Sequence, residues 1–96
     1  MSAILDAAVA ALNEKLGDAG FDGSIKIDIA GEGSIMVGED GASVGDGDAD
    51  CTMSADAETF QGILDGDVNP TAAFMGGKLT VDGDMSEAMK LGTVLS

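Results

Sequence analysis

The sequence predicts an α+β domain: a single five-stranded sheet, mixed or antiparallel, with about four helices packed on one face. Three observations carry that expectation. Apolar residues near the start recur at three- and four-residue spacing, the period of a helix. From Ile25 to Met53 the period shortens to two, that of half-buried strands joined by turns. Beyond Ser54 helical spacing returns, broken once by the alternating stretch KLTVD. Helical blocks set apart from a strand block imply helices laid on one face of a sheet.

The first helix is expected over Ser2 to Leu16. Ile4, Leu5, Ala8, Val9, Leu12 and Leu16 make one apolar stripe. Ser2 serves as its N-cap, Asp6 lies near the positive end of the helix dipole and Lys15 near the negative end, and Gly17 stops it. In the first strand Ile25, Ile27 and Ile29 alternate with Lys26 and Asp28, so one face is buried and the other wet. AGEG turns the chain into the second strand, SIMV. The EDG turn leads to a short third, ASV, because Asp-Gly takes the positive φ angles of a tight hairpin. CTMS is the fourth, with Cys51 and Met53 sharing a face.

Ser54 is expected to cap a helix from Ala55 to Leu64, with Phe60, Ile63 and Leu64 as its apolar stripe and Gly66 as its end. NPTAAFMGG reads as a short helix: Asn69 caps it, Pro70 takes the first helical position and the glycines terminate it. KLTVD is the fifth strand, with Leu79 and Val81 facing inward. Gly83 turns the chain, and Asp84 with Glu87 three residues on forms a variant capping box for the last helix. Met85, Ala88 and Met89 share a stripe there, widened by Leu91, Val94 and Leu95. Lys26, Asp28, Thr52, Thr80 and Asp82 are expected on one watered sheet face.

Ninety-six residues make one domain, 1–96, with one modest core. Lys15, Lys26, Lys78 and Lys90 are the only basic residues against 18 acids, a net charge of −14. Nucleic acid binding needs a cationic footprint, which is lacking. Anionic membranes repel such a chain, and no apolar run is long enough to span a bilayer, so no stable membrane insertion is expected. The charge serves solubility. The start, MSAILDAAVAAL, has an early acid and no basic residue, against a signal peptide, and Cys51 is alone; a cytoplasmic location is expected.

Catalytic and metal motifs fail on inspection. Asp46, Asp48 and Asp50 alternate like the opening ligands of an EF-hand loop, but its sixth and twelfth positions hold Cys51 and Ala57 rather than Gly and Glu. GDGDADC therefore reads as a solvated strand connection. Gly77 and Lys78 are followed by Leu79, and Ala72 stands where a phosphate loop needs Gly. GEGSIM lacks the third glycine of a dinucleotide fingerprint. No histidine can serve as a base, and Cys51 is read as a buried structural thiol whose acidic neighbours raise its pKa. Nothing fixes a carboxylate pair around a cleft. No enzyme activity, metal or cofactor is expected.

The apolar surface remains. Met36, Met53, Met75, Met85 and Met89 suit either a loosely packed core or an adaptable pocket, because Met is flexible and polarisable. With 15 glycines and three aromatic residues, side-chain volume is scarce for filling the space between sheet and helices. Gly92 inside the last helix costs about 1 kcal/mol relative to Ala, which close approach or bending would explain.

The segment DCTMSADAETFQGILDGDVNPTAAFMGGKLTVDGDMSEAMKL resembles the sterol carrier protein type 2 (sterol-transfer) domain family. The shared pattern is an Asp before an alternating strand, Ser-x-acid-x-x-Phe, a helix ending in Gly, Asn-Pro, Ala-Phe, Gly-Lys-Leu-x-Val-x-Gly-Asp and Ala-x-x-Leu. It falls on Asp50, Ser54, Phe60, Gly66, Pro70, Ala73, Phe74, Gly77, Lys78, Leu79, Val81, Gly83, Asp84, Ala88 and Leu91. The N-terminal half agrees in the order of its elements.

The resemblance implies an apolar tunnel between sheet and helices that binds fatty acids, sterols or other lipids for carriage or presentation. Carried onto this chain, Phe60, Ile63, Leu64, Phe74, Met75, Leu79, Val81, Met85 and Met89 are its tunnel candidates, and Gln61 its polar contact to a head group. Two departures modify the expectation. The sequence stops at Ser96 without the closing segment and Ser-Lys-Leu address of many eukaryotic members, so the tunnel is expected to be more open or closed by a partner. With no Arg and four Lys to meet the phosphates of coenzyme A, acyl-CoA is disfavoured against a free fatty acid or neutral lipid. The alternative is an acidic accessory domain of the same fold with a filled core.

Overall fold

A computed structural model describes residues 3–17 and 20–95, and of Leu95 the backbone alone. The elements run α1 (Ala3–Leu16), β1 (Ile25–Ala30), β2 (Gly33–Gly38), β3 (Gly41–Val44), β4 (Cys51–Asp56), α2 (Ala57–Asp65), α3 (Pro70–Met75), β5 (Leu79–Gly83) and α4 (Met85–Leu95). The strands form one sheet in the order β3-β2-β1-β4-β5. β1 and β4 pair in parallel and every other neighbouring pair is antiparallel, so the sheet is mixed. This is the expected α+β architecture.

Strand parity places Ile25, Ile27, Ile29, Ile35, Val37, Ala42, Cys51, Met53, Ala55 and Leu79 on the buried inner face. Leu5, Ala8, Leu12 and Leu16 of α1 and Phe60 and Ile63 of α2 close over them, and Phe21, Ala73, Ala88 and Leu91 complete the cluster. Of the expected α1 stripe, Leu5, Ala8, Leu12 and Leu16 are buried and Ile4 and Val9 half-buried. The expected cap Ser2, and Leu95 as part of the α4 arc, lie outside the described residues and side chains. Gly17 follows α1 at φ 68°, a left-handed stop.

On the outer face the register aligns Lys26 with Thr52, Asp28 with Ser54, Thr52 with Asp82 and Ser54 with Thr80. All of these side chains are exposed or half-buried, the watered face the alternation predicts. Met36 lies on this face too and is no part of the inner apolar set, because Ile35 and Val37 on either side of it point inward. β3 and β4 lie on opposite sides of the β1–β2 pair, so residues 45–50 cross the outer face. Gly45 and Gly47 pass over Met36. Asp46 pairs with Lys26, and that hydrogen bond holds the Lys26 ammonium above its ordinary pKa. The aspartates of GDGDADC thus occupy an exposed crossover.

Three local expectations are corrected. β4 runs on to Asp56, since Ser54 and Ala55 are held between β1 and β5; Asp56 rather than Ser54 caps α2, its Oδ1 accepting from the Thr59 N–H at 2.7 Å. In the β2–β3 hairpin only Gly41 takes positive φ (100°), and Asp40 does not. The capping box at α4 is half formed. Asp84 Oδ1 accepts from the Ser86 N–H at 2.9 Å, but the Asp84 N–H donates to the Asp50 carbonyl. Glu87 is buried against Gly23 instead, with Oε2 3.5 Å from Lys90 Nζ. Asn69 caps α3 as expected, accepting from the Thr71 and Ala72 N–H groups.

Candidate functional site

Beneath α1 and α2 the buried cluster meets the sheet, whereas beneath α3 and α4 an apolar space is left open. There the inner face of β4 and β5 and the helices α3 and α4 surround a cavity of about 440 Å³. Met53, Leu79 and Val81 form its floor on the sheet. Pro70, Phe74 and Met75 wall one side from α3, and Met85, Ala88, Met89 and Gly92 the other from α4. Asn69, Thr71 and Thr93 are its polar lining.

Helical spacing explains the α4 wall: Met85, Met89 and Gly92 follow one another at four and three positions and so share a face. Gly92 keeps that wall thin. A Cβ there would meet the Pro70 Cβ at 3.9 Å, ordinary contact, so close helix packing does not demand the glycine. On α3, Pro70 is buried while Phe74, one turn on, is 40% exposed and Met75 80%. Met85 and Met89 are 44% and 71% exposed. The cavity therefore has a buried floor and a mouth edged by large apolar side chains open to solvent.

Of the nine apolar candidates, Phe74, Met75, Leu79, Val81, Met85 and Met89 come together around this cavity. Phe60, Ile63 and Leu64 do not line it. Phe60 and Ile63 are fully buried in the α1–α2 core and Leu64 is partly buried against it, because the α2 stripe faces α1 and the middle of the sheet. Gln61 is exposed on α2 and is not part of the lining either. Sequence reasoning left Met53, Pro70, Ala88 and Gly92 out of the site. Met53 was legible by parity, since it shares the inner face with Leu79 and Val81; Ala88 and Gly92 were legible as neighbours of Met85 and Met89 on one helix.

The lining is mostly apolar, and two of its polar atoms are engaged within their own helices. Asn69 Oδ1 is occupied with the α3 cap, and the Thr93 hydroxyl donates to the Met89 carbonyl at 3.1 Å. No lysine lines the cavity among the described residues. Cys51 lies one inward position from Met53 and is buried; that burial, with Asp84, Glu87 and Asp82 nearby, pushes its thiol pKa up. It stays a protonated thiol, unsuited to nucleophilic attack. No cluster of residues suited to hold a metal occurs among the described residues. None of the described helices is long and apolar enough to cross a membrane.

Comparison with known proteins agrees with this architecture. Residues 3–96 match the model of the SCP-2 sterol transfer family. The chain is 42% identical over 77 residues to hydroxysteroid dehydrogenase-like protein 2 of Danio rerio, covering 72% of this chain and 19% of that protein. It is 34% identical over 82 residues to sterol carrier protein 2 of Homo sapiens, covering 84% of this chain and 14% of that one. The chain thus spans less than a fifth of the length of these relatives. Among solved structures, sterol carrier protein-2 of Aedes aegypti in complex with the C16 fatty acid palmitate superposes with a TM-score of 0.78 at 19% identity, over 100% of this chain and 97% of that one. The apo form of sterol carrier protein 2 of Yarrowia lipolytica gives 0.60 at 23% identity, over 96% and 86%. These structures share the fold, and with the match across nearly every residue, the chain belongs to the SCP-2 sterol transfer family.

Proposed function

We propose that this domain binds the hydrocarbon part of a lipid in the cavity between α3, α4 and the β4–β5 floor, and carries or presents it rather than transforming it. The observation that carries the reading is an apolar cavity of about 440 Å³, within the range of about 300–1,000 Å³ of small-ligand sites, floored by the sheet and edged by large apolar side chains. The neighbour solved with palmitate supports it. Phe74, Met75, Leu79, Val81, Met85 and Met89, with Met53, grip the chain; Met adapts to different ligand shapes. The polar end stays at the mouth beside Thr71 and Thr93.

The driving force is apolar burial, about 0.8 kcal/mol per methylene. An acyl chain of about twelve buried methylenes gains about 10 kcal/mol, and association costs of at least about 4 kcal/mol leave about 6 kcal/mol, binding in the tens of micromolar when the site is preformed. A net charge of −14 and a lining without lysine disfavour coenzyme A phosphates, so the ligand is a free fatty acid or a neutral lipid. The whole chain acts as one domain, 1–96, in the cytoplasm.

Native mass spectrometry of protein purified without detergent tests the reading, together with displacement of a fluorescent fatty acid by unlabelled lipids. Co-purified lipid mass and micromolar displacement are expected. Only apo mass, with no probe bound at any concentration, would overturn it.

A further inference from the structure

Three of the side chains at the mouth are thioethers, and they stand almost bare: Met75 is 80% exposed, Met89 71% and Met85 44%. Met53, on the floor of the same cavity, is 3% exposed. The chain has no Trp, Tyr or His, and its one cysteine, Cys51, is 1% exposed. Among the described residues Met36 is the other methionine, half-buried under the crossover loop on the opposite face of the sheet. Among the described residues, the accessible oxidisable groups are therefore concentrated at one place, the edge of the cavity.

We propose that Met75, Met85 and Met89 are oxidation sites through which a hydroperoxide closes the lipid site, a regulation that rests on the lipid-binding reading above. In each case the thioether sulfur attacks one oxygen of the peroxide. An S–O bond forms and the O–O bond breaks. Sulfur loses two electrons, and the peroxide is reduced to water, or to an alcohol if it is a lipid hydroperoxide. The sulfoxide is a polar, chiral group where a flexible apolar one had been. A hydrocarbon ligand crossing the mouth would then desolvate up to three sulfoxide oxygens, which disfavours binding. Buried Met53 and Cys51 are spared, so the floor and fold survive, and enzymatic reduction of the sulfoxides reopens the site.

The test treats the 96-residue chain with hydrogen peroxide, removes the excess, maps each oxidised residue by peptide mass spectrometry and titrates a dansyl-labelled undecanoate probe. One added oxygen on Met75, Met85 and Met89 ahead of Met36 and Met53 is expected, with about tenfold weaker probe binding and recovery after methionine sulfoxide reductases. Met36→Leu should respond like the parent protein. The triple variant Met75→Leu, Met85→Leu and Met89→Leu, whatever its starting affinity, should lose less than about twofold on treatment, since no mouth thioether remains to oxidise. Undiminished binding by protein fully oxidised at the mouth would overturn the proposal and leave the lipid site standing. Oxidation of Met53 or Cys51 before the mouth residues would overturn it as well. An untreated protein that binds neither probe nor co-purified lipid would overturn both readings.

Discussion

Asn13 of α1 clasps Ala42 of the edge strand β3 with both ends of its side-chain amide. Its Nδ2 donates to the Ala42 carbonyl at 2.9 Å, and its Oδ1 accepts from the Ala42 N–H at 2.8 Å. The amide takes the place of a sixth strand at that position, and so blunts an edge on which another chain would otherwise pair. Gly41 leaves room for it, since a Cβ there would meet Asn13 Oδ1 at 2.4 Å. Asn13→Ala strips both partners from the buried Ala42 and should cost about 1–2 kcal/mol in chemical denaturation. Sedimentation should also show more self-association. An unchanged midpoint and a monodisperse variant would show that the clasp is incidental.

Met53 and Val81 are register partners across β4 and β5, and together they floor the cavity. Val81→Phe raises that floor into the space the ligand needs. Fatty-acid probe binding should weaken about tenfold or more, a loss of about 1.4 kcal/mol, while the circular dichroism spectrum stays that of the parent. Full binding in this variant would place the ligand elsewhere.

Two glycines near the cavity should respond in opposite directions. Gly83 has φ 101°, and a Cβ there would stand 2.5 Å from the Asp50 carbonyl oxygen, a backbone atom that cannot move aside. Gly83→Ala should therefore destabilise by at least about 2 kcal/mol, a fall in Tm of about 10 °C for a domain this size. Gly92 sits within α4 with only ordinary contact awaiting a Cβ, so Gly92→Ala should raise stability by up to about 1 kcal/mol. Thermal unfolding of the two variants beside the parent decides both.

Asp56 links the strand β4 to the helix α2, and its carboxylate accepts hydrogen bonds from the Thr59 hydroxyl and N–H, which hold its pKa below the usual carboxylate value. A group lowered on folding adds stability above its unfolded pKa of about 4, and that stability is lost as pH falls through the folded value. Asp56→Asn keeps an acceptor for the cap but cannot titrate. The Tm difference between parent and variant should be constant from neutral pH down to about pH 5 and then shrink as the pH falls below about 4. A difference that does not change with pH in this range would show that the carboxylate charge contributes nothing to the cap.

Much of this was legible in the chain. Period-two alternation in IKIDI and LTV set the buried face of each strand because successive side chains leave a strand on opposite sides. Asn69, Pro70, Gly66 and Gly17 marked helix ends because their backbone and side-chain chemistry is local. The α2 start was misplaced by two residues for the opposite reason: Ser54 has the chemistry of a cap, but ladder bonds from two distant strands keep it extended.

The sequence by itself determined the α+β order and the inner face of the sheet, since these follow from spacing and local motifs within the chain, and its motifs carried the resemblance to the family. Only the tertiary structure decided which apolar stripes close on one another and which stay apart. Phe60 and Met85 both lie on apolar helix stripes, yet α2 seats Phe60 against α1 and the central strands, while α4 leaves Met85 at an open mouth. The difference comes from strand order: β5 joins the sheet beyond β4, and α3 and α4 cover that outer margin without a third helix to fill the gap between them. Burial is a property of what arrives from elsewhere in the chain, and periodicity records only which side of a helix is ready for it.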